Sequence, residues 1–124
     1  MKETLLVFTG GGLGSVMRWL LHRTVHHLVP SSFPYGTLTV NIAACFLLGI
    51  MLGFESMKSA QDNTMRLFFA VGICGGFSTF STFSAETVQL LQQGEFLQAT
   101  MYITSSLIIG FLALFGGTQF FRLL

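Results

Sequence analysis

Charged residues are so sparse in this chain that they leave long stretches with no charge at all. No Asp, Glu, Lys or Arg occurs in residues 4–17, 24–54, 67–85 or 96–121, which are runs of 14, 31, 19 and 26 residues. A helix needs about 20 predominantly apolar residues to cross the hydrocarbon core of a bilayer. The last three runs have this capacity, and the first reaches it if its helix continues past Arg18 to Leu21. The charge pattern therefore predicts four membrane-spanning helices.

The predicted spans cover residues 4–27, 34–56, 65–92 and 96–121, and the connections between them are short. Pro30 and Pro34 interrupt the chain between spans one and two, because proline cannot donate a helix hydrogen bond and restricts the residue before it. Polar residues at 59–64 separate spans two and three, and Gly94 lies between spans three and four. We therefore predict an all-α membrane protein whose single domain, residues 1–124, is a four-helix transmembrane unit.

The composition argues against several functional classes. Only 9% of the residues are charged, whereas a soluble domain has about 25%, and a net charge of +1 offers no basic surface for nucleic acid. Cys45 and Cys74 lie inside predicted spans and are interpreted as small apolar packing residues. All histidines fall within 22–27, and no serine in a span has a plausible base partner, so we predict that the protein is not an enzyme.

A pair of glycines in the third span predicts a local break in that helix. Gly75-Gly76 makes a poor helix interior. Unwound backbone at membrane depth is tolerated only where it is buried in protein or lines a cavity, and carbonyl groups freed there are natural cation ligands. The alternative interpretation is that the two glycines only permit close helix packing.

The sequence after the glycine pair repeats in threes, as Phe-Ser-Thr, Phe-Ser-Thr and Phe-Ser-Ala over residues 77–85. On a helix this spacing predicts an aromatic stripe of Phe77, Phe80 and Phe83, flanked by two stripes of hydroxyl groups. The positive edge of an aromatic ring attracts anions, and hydroxyl groups donate hydrogen bonds to them. The surface therefore suits a small anion that accepts hydrogen bonds; ordinary packing against lipid or core is the alternative.

Several other polar residues inside the spans are candidates either for a pathway or for a structural role. Asn41 either bonds neighbouring helices or faces the pathway, and Glu86 is an intramembrane acid, which is a functional hypothesis by default. Arg18 either anchors span one at the headgroups or attracts anions in an aqueous vestibule. His22 and His26 have a spacing that can hold a metal, but with no carboxylate or cysteine nearby in sequence we interpret them as interfacial. Span four adds the hydroxyl groups of Tyr102, Thr104, Ser105 and Ser106.

The positive charges differ only weakly in number between the two sides of the predicted bundle. Four Lys and Arg residues fall on the side of the termini and the 57–66 connection, and two, Arg18 and Arg23, fall on the other. This weak bias permits insertion in both orientations, and hence an antiparallel dimer. Four short spans enclose little volume, and small residues at helix-packing spacing favour association, so we expect a homo-oligomer. The glycine pairs with that spacing are Gly10 and Gly14, Gly49 and Gly53, and Gly72 and Gly76.

Three segments together carry a family resemblance: residues 10–19 (GGGLGSVMRW), 36–41 (GTLTVN) and 75–84 (GGFSTFSTFS). In these motifs, their order, the length and the four spans, the chain resembles the CrcB/Fluc family of fluoride channels. The resemblance implies an antiparallel, dual-topology homodimer in the bacterial inner membrane, with two fluoride pathways along the subunit interface. It also implies passive export of fluoride, which protects the cell from fluoride toxicity.

The resemblance also implies roles for individual positions. Phe80 and Phe83 would meet the dehydrated anion with their ring edges, and Asn41 would donate its amide to fluoride. The backbone carbonyls of Gly75 and Ser78, from both subunits, would hold a central structural sodium ion at the break in span three. The family's break position, after Phe77, is Ser78 here, where Thr is equally expected; a carbonyl ligand does not depend on its own side chain. Further polar contacts along the pathway are expected from Ser81, Thr82, Ser84 and Tyr102, with Glu86 and Arg18 at the pore mouths.

Two other functions are compatible with the residues. A small multidrug-type, proton-coupled transporter shares the size, the four spans and the dual topology, and it would need Glu86 as its membrane-embedded carboxylate. A non-transporting membrane subunit is the second. An organic cation substrate with strong dependence on Glu86 would identify the transporter, and the absence of any flux would identify the subunit.

Overall fold

The computed structural model describes residues 1–57 and 63–123, and every regular element within these ranges is helical. In chain order the elements are α1 (Lys2–Leu28), α2 (Tyr35–Met57), α3 (Asn63–Met65), a π-helix (Arg66–Cys74), α4 (Gly75–Phe77), α5 (Phe80–Gln92) and α6 (Phe96–Leu123). Residues 59–62 of the predicted polar connection lie outside the described ranges.

Four helical stretches are long and apolar enough to cross a membrane, and they agree with the predicted spans to within a few residues. They are Lys2–Leu28, Tyr35–Ser56, Asn63–Gln92 and Phe96–Phe120. Many large apolar side chains on them point away from the bundle; Phe8 is 77% exposed and Phe111 is 69% exposed. Surfaces of this kind are stable against lipid or a partner subunit rather than against water. The prediction of an all-α protein with four membrane-spanning helices is confirmed.

Local hydrogen bonds define the start of α2 and the end of α5. Before α2, the carbonyl of Pro34 accepts the Leu38 N–H at 3.1 Å. Proline is tolerated at the start of a helix because the backbone N–H that it lacks would have no partner within the helix there. After α5, Gly94 adopts a left-handed conformation with φ of 78°. The N–H of Glu95 then bonds the Leu90 carbonyl at 2.9 Å, and that of Gly94 bonds the Leu91 carbonyl at 3.1 Å. This pair of bonds is a Schellman motif, for which glycine is the favoured residue.

Glycines bring the helices into backbone contact. A Cβ atom on Gly10 or Gly14 would collide with the π-helix backbone, at the carbonyl oxygens of Phe68 and Ile73 respectively. A Cβ on Gly49 of α2 would collide with the Leu114 carbonyl of α6. Because no hydrophobic force drives association inside lipid, such close approach is what membrane helices use to pack. These contacts place α1 along the third span and α2 along α6.

The buried interior consists of two small clusters. Val40, Ala44 and Phe77 form the first, which joins α2 to the end of α4. Leu90, Ala99 and Tyr102 form the second, which joins α5 to α6. Phe77, the last residue before the interruption of the third span, belongs to the first cluster, and Phe83, in the helix that follows, packs against the second.

Candidate functional site at the helix break

The third span is interrupted at Ser78 and Thr79, immediately after Phe77. Ser78 has φ of −73° and ψ of 156°, and Thr79 has φ of −148° and ψ of 107°, so both are extended. The break predicted at Gly75-Gly76 is therefore misplaced, since Gly75 has helical angles of −65° and −40°. Gly76 serves close packing instead, because a Cβ there would collide with the Gly11 carbonyl. The position after Phe77 is the one that the family resemblance implies.

Asn41 of α2 holds the extended backbone by a pair of hydrogen bonds. The N–H of Thr79 donates to Asn41 Oδ1 at 2.8 Å, and Asn41 Nδ2 donates to the Thr79 carbonyl at 3.2 Å. Asn41 thus bonds two helical segments, which is the first of the two roles considered for it. An Asn amide has a second N–H, so a ligand contact is compatible with this arrangement, and the pathway role stays a prediction.

Thr79 also starts the next helix. Its Oγ1 accepts the Thr82 N–H at 3.2 Å and lies 2.8 Å from Thr82 Oγ1. This is the usual function of an N-cap threonine, which satisfies a donor that has no partner in the first turn. Ser81 Oγ lies 3.4 Å from the same Thr79 hydroxyl, so three hydroxyl groups cluster at the start of α5.

Because of these bonds, the carbonyl groups of Gly75 and Ser78 lose the N–H donors that they would have in an unbroken helix. In an α-helix the N–H of residue 79 bonds the carbonyl of Gly75, and the N–H of residue 82 bonds that of Ser78. Here those N–H groups go to Asn41 and to the Thr79 side chain. Both Gly75 and Ser78 are exposed in the single chain. They line a cavity of about 180 Å³ together with the free thiols Cys45 and Cys74.

The aromatic stripe is shorter than predicted. Phe77 is buried against Val40 and Ala44, because the break turns the chain between Phe77 and Phe80. Phe80 and Phe83 remain together on α5, with ring centroids 5.8 Å apart. Phe80 is 79% exposed, whereas Phe83 is half-buried and its centroid lies 5.0 Å from that of Tyr102. The predicted stripe of three rings is therefore wrong for Phe77 and correct for the other two.

Phe80 and Phe83 line a groove that we call the aromatic groove. Its volume is about 230 Å³, and the polar residues in its wall are Asn41, Ser78, Thr79 and Ser106. Ser106 Oγ is buried and has no hydrogen-bond partner among the described residues. The hydroxyl of Ser84, by contrast, donates to the Phe80 carbonyl at 2.9 Å, a local bond that occupies its proton.

Ser106 is a residue that the sequence did not single out from the other hydroxyl groups of span four. Its neighbour Ser105 donates to the Met101 carbonyl at 2.6 Å, as serine commonly does in a helix. Nothing in the sequence distinguishes the two serines, because the difference is the direction in which each faces in the folded bundle.

The Glu86 side chain of α5 lies close to polar side chains from three other helices. Its Oε1 accepts a hydrogen bond from Thr37 of α2 at 2.8 Å, and its Oε2 accepts one from Tyr102 of α6 at 2.7 Å. His22 of α1 lies close by, with Nε2 3.9 Å from Oε1. Thr37 and Tyr102 are 1% and 0% exposed. The Glu86 side chain is only 21% exposed, and a carboxylate largely removed from water needs such donors. The structure therefore gives Glu86 and Tyr102 a shared cross-linking role, and it adds Thr37, which sequence reasoning left unassigned.

Two further cavities adjoin this cluster. The inner cavity, of about 210 Å³, is lined by Arg18, His22, Thr37, Thr79 and Thr82, among others. The outer cavity, also about 210 Å³, lies at the 29–36 end of the bundle and includes His22, His26 and Glu86 in its wall. Thr79 lines both the inner cavity and the aromatic groove. The break therefore brings together Asn41, Thr82, Phe80, Phe83 and Arg18, whereas Glu86 and Tyr102 lie beside them in a separate bonded cluster.

Metal binding by side chains is not indicated within residues 1–57 and 63–123. No group of three or more His, Cys, Asp or Glu residues converges there. His22 and His26 stack with nearly parallel rings, whose centroids are 6.4 Å apart.

Comparison with known proteins gives the family. A family model described as "CrcB-like protein, Camphor Resistance (CrcB)" matches residues 5–118. Three relatives carry the name "Fluoride-specific ion channel FluC". The protein of Phocaeicola vulgatus is 43% identical over 117 residues, which are 94% of this chain and 96% of the relative.

The other two relatives also match nearly the whole chain. The Flavobacterium psychrophilum protein is 40% identical over 117 residues, 94% of each chain. The Nitrobacter winogradskyi protein is 39% identical over an alignment of 126 positions, which covers 100% of each chain. The sequence, with its four membrane-spanning helices, is that of a multi-pass bacterial membrane protein, and the chain belongs to the CrcB family.

Proposed function

We propose that this protein is a fluoride-selective passive ion channel that exports fluoride across the bacterial inner membrane and so relieves fluoride toxicity. The aromatic groove is the observation that carries the proposal. It places two phenylalanine rings, the Asn41 amide and the unpartnered hydroxyl of Ser106 around one space. The names of the relatives support fluoride as the ion.

The chemistry of the groove favours a small anion over a cation. Aromatic ring edges carry partial positive charge, and amide and hydroxyl groups supply N–H and O–H donors. The described residues that line the groove include no carboxylate, which a cation site would favour. Fluoride would exchange its water for these contacts, and they must be strong enough to offset dehydration yet weak enough to permit release.

A second copy of the chain would complete the pathway. Phe80 is 79% exposed in one chain, and Gly75 and Ser78 are exposed as well, so one wall of the pathway is open. The weak bias of positive charge, four residues against two, permits insertion in both orientations. We therefore infer an antiparallel, dual-topology homodimer, in which two fluoride pathways run along the interface between the subunits.

A structural sodium ion fits the carbonyl groups at the break. The backbone donors that would bond the carbonyls of Gly75 and Ser78 in a continuous helix are engaged by Asn41 and Thr79. Carbonyl oxygens of unwound helices coordinate sodium in membrane transport proteins. These carbonyls from both subunits would hold the ion, which would supply a fixed positive charge that stabilises the unwound segments.

The Glu86-dependent transporter gains no support from the geometry. Both carboxylate oxygens of Glu86 accept hydrogen bonds, from Thr37 and from Tyr102, and Glu86 does not line the aromatic groove. A channel is also what the names of the relatives describe.

Anion efflux from liposomes tests the proposed function. Purified protein is reconstituted into vesicles loaded with fluoride and chloride, and valinomycin starts potassium-coupled efflux that fluoride and chloride electrodes record. We expect rapid release of fluoride with little release of chloride. Absence of fluoride release from folded protein would contradict the channel, and equal release of both ions would contradict its selectivity.

Ser106 offers a sharper test of the groove itself. Ser106→Ala is expected to slow fluoride efflux by about two- to tenfold, the equivalent of one hydrogen bond of about 0.5–1.5 kcal/mol. Thermal stability in detergent should not fall, because the hydroxyl has no partner to lose. Ser105→Ala is the matched control on the same helix. Unchanged efflux in the Ser106 variant would exclude this hydroxyl from the pathway.

A further inference from the structure

His22 is the residue at which the outer and inner cavities meet. It lines both of them, whereas Glu86 and His26 line only the outer cavity, and Arg18 lines only the inner one. Its side chain is 43% exposed. An anion that moves from the 29–36 end of the bundle toward Thr79 and Thr82 therefore passes this imidazole.

Packing holds the His22 ring in place between the cavities. A Cβ atom on Gly36 would lie 2.7 Å from His22 Cδ2, so the ring occupies the space that this glycine leaves open. On its other side, Nε2 lies 3.9 Å from the Glu86 carboxylate. The imidazole is positioned by α2 and α5 as well as by its own helix.

The charged and titratable groups around His22 come from four helices. They are Arg18 and His26 on α1, Tyr35 on α2, Glu86 on α5, and Tyr102 on α6, which bonds Glu86. Arginine stays charged at all relevant pH values, and histidine is the side chain that ordinarily changes charge between about pH 5 and 8. Of the two histidines in this group, only His22 lines both cavities.

We propose that His22 is an anion-attracting residue of the pathway, whose protonated form draws fluoride from the outer cavity into the inner one. The positive charge would offset that of the nearby Glu86 carboxylate and raise the local anion concentration. This inference rests on the proposed channel function. It predicts that fluoride conduction increases as the pH at the His22 end of the bundle falls.

Planar-bilayer recording of fluoride current tests the inference, because neutral hydrogen fluoride that leaks through lipid carries no current. In symmetrical, low sodium fluoride, the wild-type current at pH 5.5 should exceed that at pH 7.5 by at least about twofold. His22→Gln should give one current at both pH values. His22→Lys should give the high current at both. Raising ionic strength with gluconate should weaken the wild-type response, since the screening length falls to about 10 Å at 0.1 M.

The matched control is His27→Gln, since His27 is exposed on the same helix and is not among the described residues that line either cavity. It should keep the full pH response. A pH response that survives in His22→Gln, or that is absent from the wild type, overturns the inference while leaving a fluoride channel in place. A wild-type protein with no fluoride current at either pH overturns the channel and the inference together. Should His22→Gln fail to fold, a pH response retained in His22→Lys would overturn the inference equally.

Discussion

Replacing Phe83 by Ile is expected to reduce fluoride efflux by at least about tenfold, which corresponds to about 1.4 kcal/mol added to the barrier. Isoleucine keeps an apolar side chain in the aromatic groove but removes the positive ring edge that would face the anion. Phe83 packs against Tyr102 and Phe80, with centroid distances of 5.0 and 5.8 Å, so its ring is held in a defined orientation. Liposome efflux with a fluoride electrode measures the effect, and Phe80→Ile should act in the same direction.

The control for this substitution is Phe111→Ile on α6. Phe111 is 69% exposed and is not among the described residues that line the aromatic groove, so its loss should leave efflux unchanged. Size-exclusion chromatography establishes that each variant remains folded. Wild-type efflux from a folded Phe83→Ile variant would show that the ring edges do not serve the anion.

Replacing Asn41 by Ala is expected to reduce fluoride efflux to the level of protein-free liposomes. The change removes the proposed amide donor to fluoride, and it also removes both hydrogen bonds that hold Thr79 in its extended conformation. Thr79 is 8% exposed, and an unsatisfied buried polar group costs about 1–3 kcal/mol. Thermal stability in detergent should therefore fall together with efflux.

Asn41→Asp separates the two roles of the amide. Aspartate retains an acceptor for the Thr79 N–H but supplies a negative charge and no N–H donor, so efflux should be lost whatever the stability of the variant. Asn63→Ala is the control, because Asn63 is exposed and its amide donates to the exposed Glu3 carboxylate at 3.2 Å, away from the break. Fluoride efflux at the wild-type rate from either Asn41 variant would remove this residue from the pathway.

The four helices are evident from the sequence because lipid imposes a simple requirement. Each span must form its backbone hydrogen bonds internally and present apolar side chains to lipid. The long runs without charged residues are the direct consequence of that requirement. The glycine pairs were also readable, since close helix approach needs a residue without a side chain at helical spacing. Gly10, Gly14, Gly49 and Gly76 all make such contacts in the structure.

The position of the break shows where local reasoning fails. Helix propensity placed it at Gly75-Gly76, but Gly76 packs on Gly11, 65 residues earlier in the chain. The extended backbone of Thr79 is held by Asn41, 38 residues away. Contacts between residues so far apart in the chain outweigh the intrinsic helix-breaking preference of glycine, which is about 1 kcal/mol per residue. The aromatic stripe was overestimated for the same reason, because its three-residue spacing assumed that the helix continued through Phe77 and Phe80.

The sequence alone therefore determined the number of spans, their apolar character, and the residue types that an anion pathway would use. The family motifs added the position of the break after Phe77. Only the tertiary structure decided which of these groups meet: that Asn41 bonds the break, that Ser106 rather than Ser105 faces the aromatic groove, and that Glu86 joins Thr37, Tyr102 and His22. The physical reason is that lipid compatibility is a property of each segment by itself. The orientation of a polar side chain depends instead on which neighbouring helix supplies its hydrogen-bond partner.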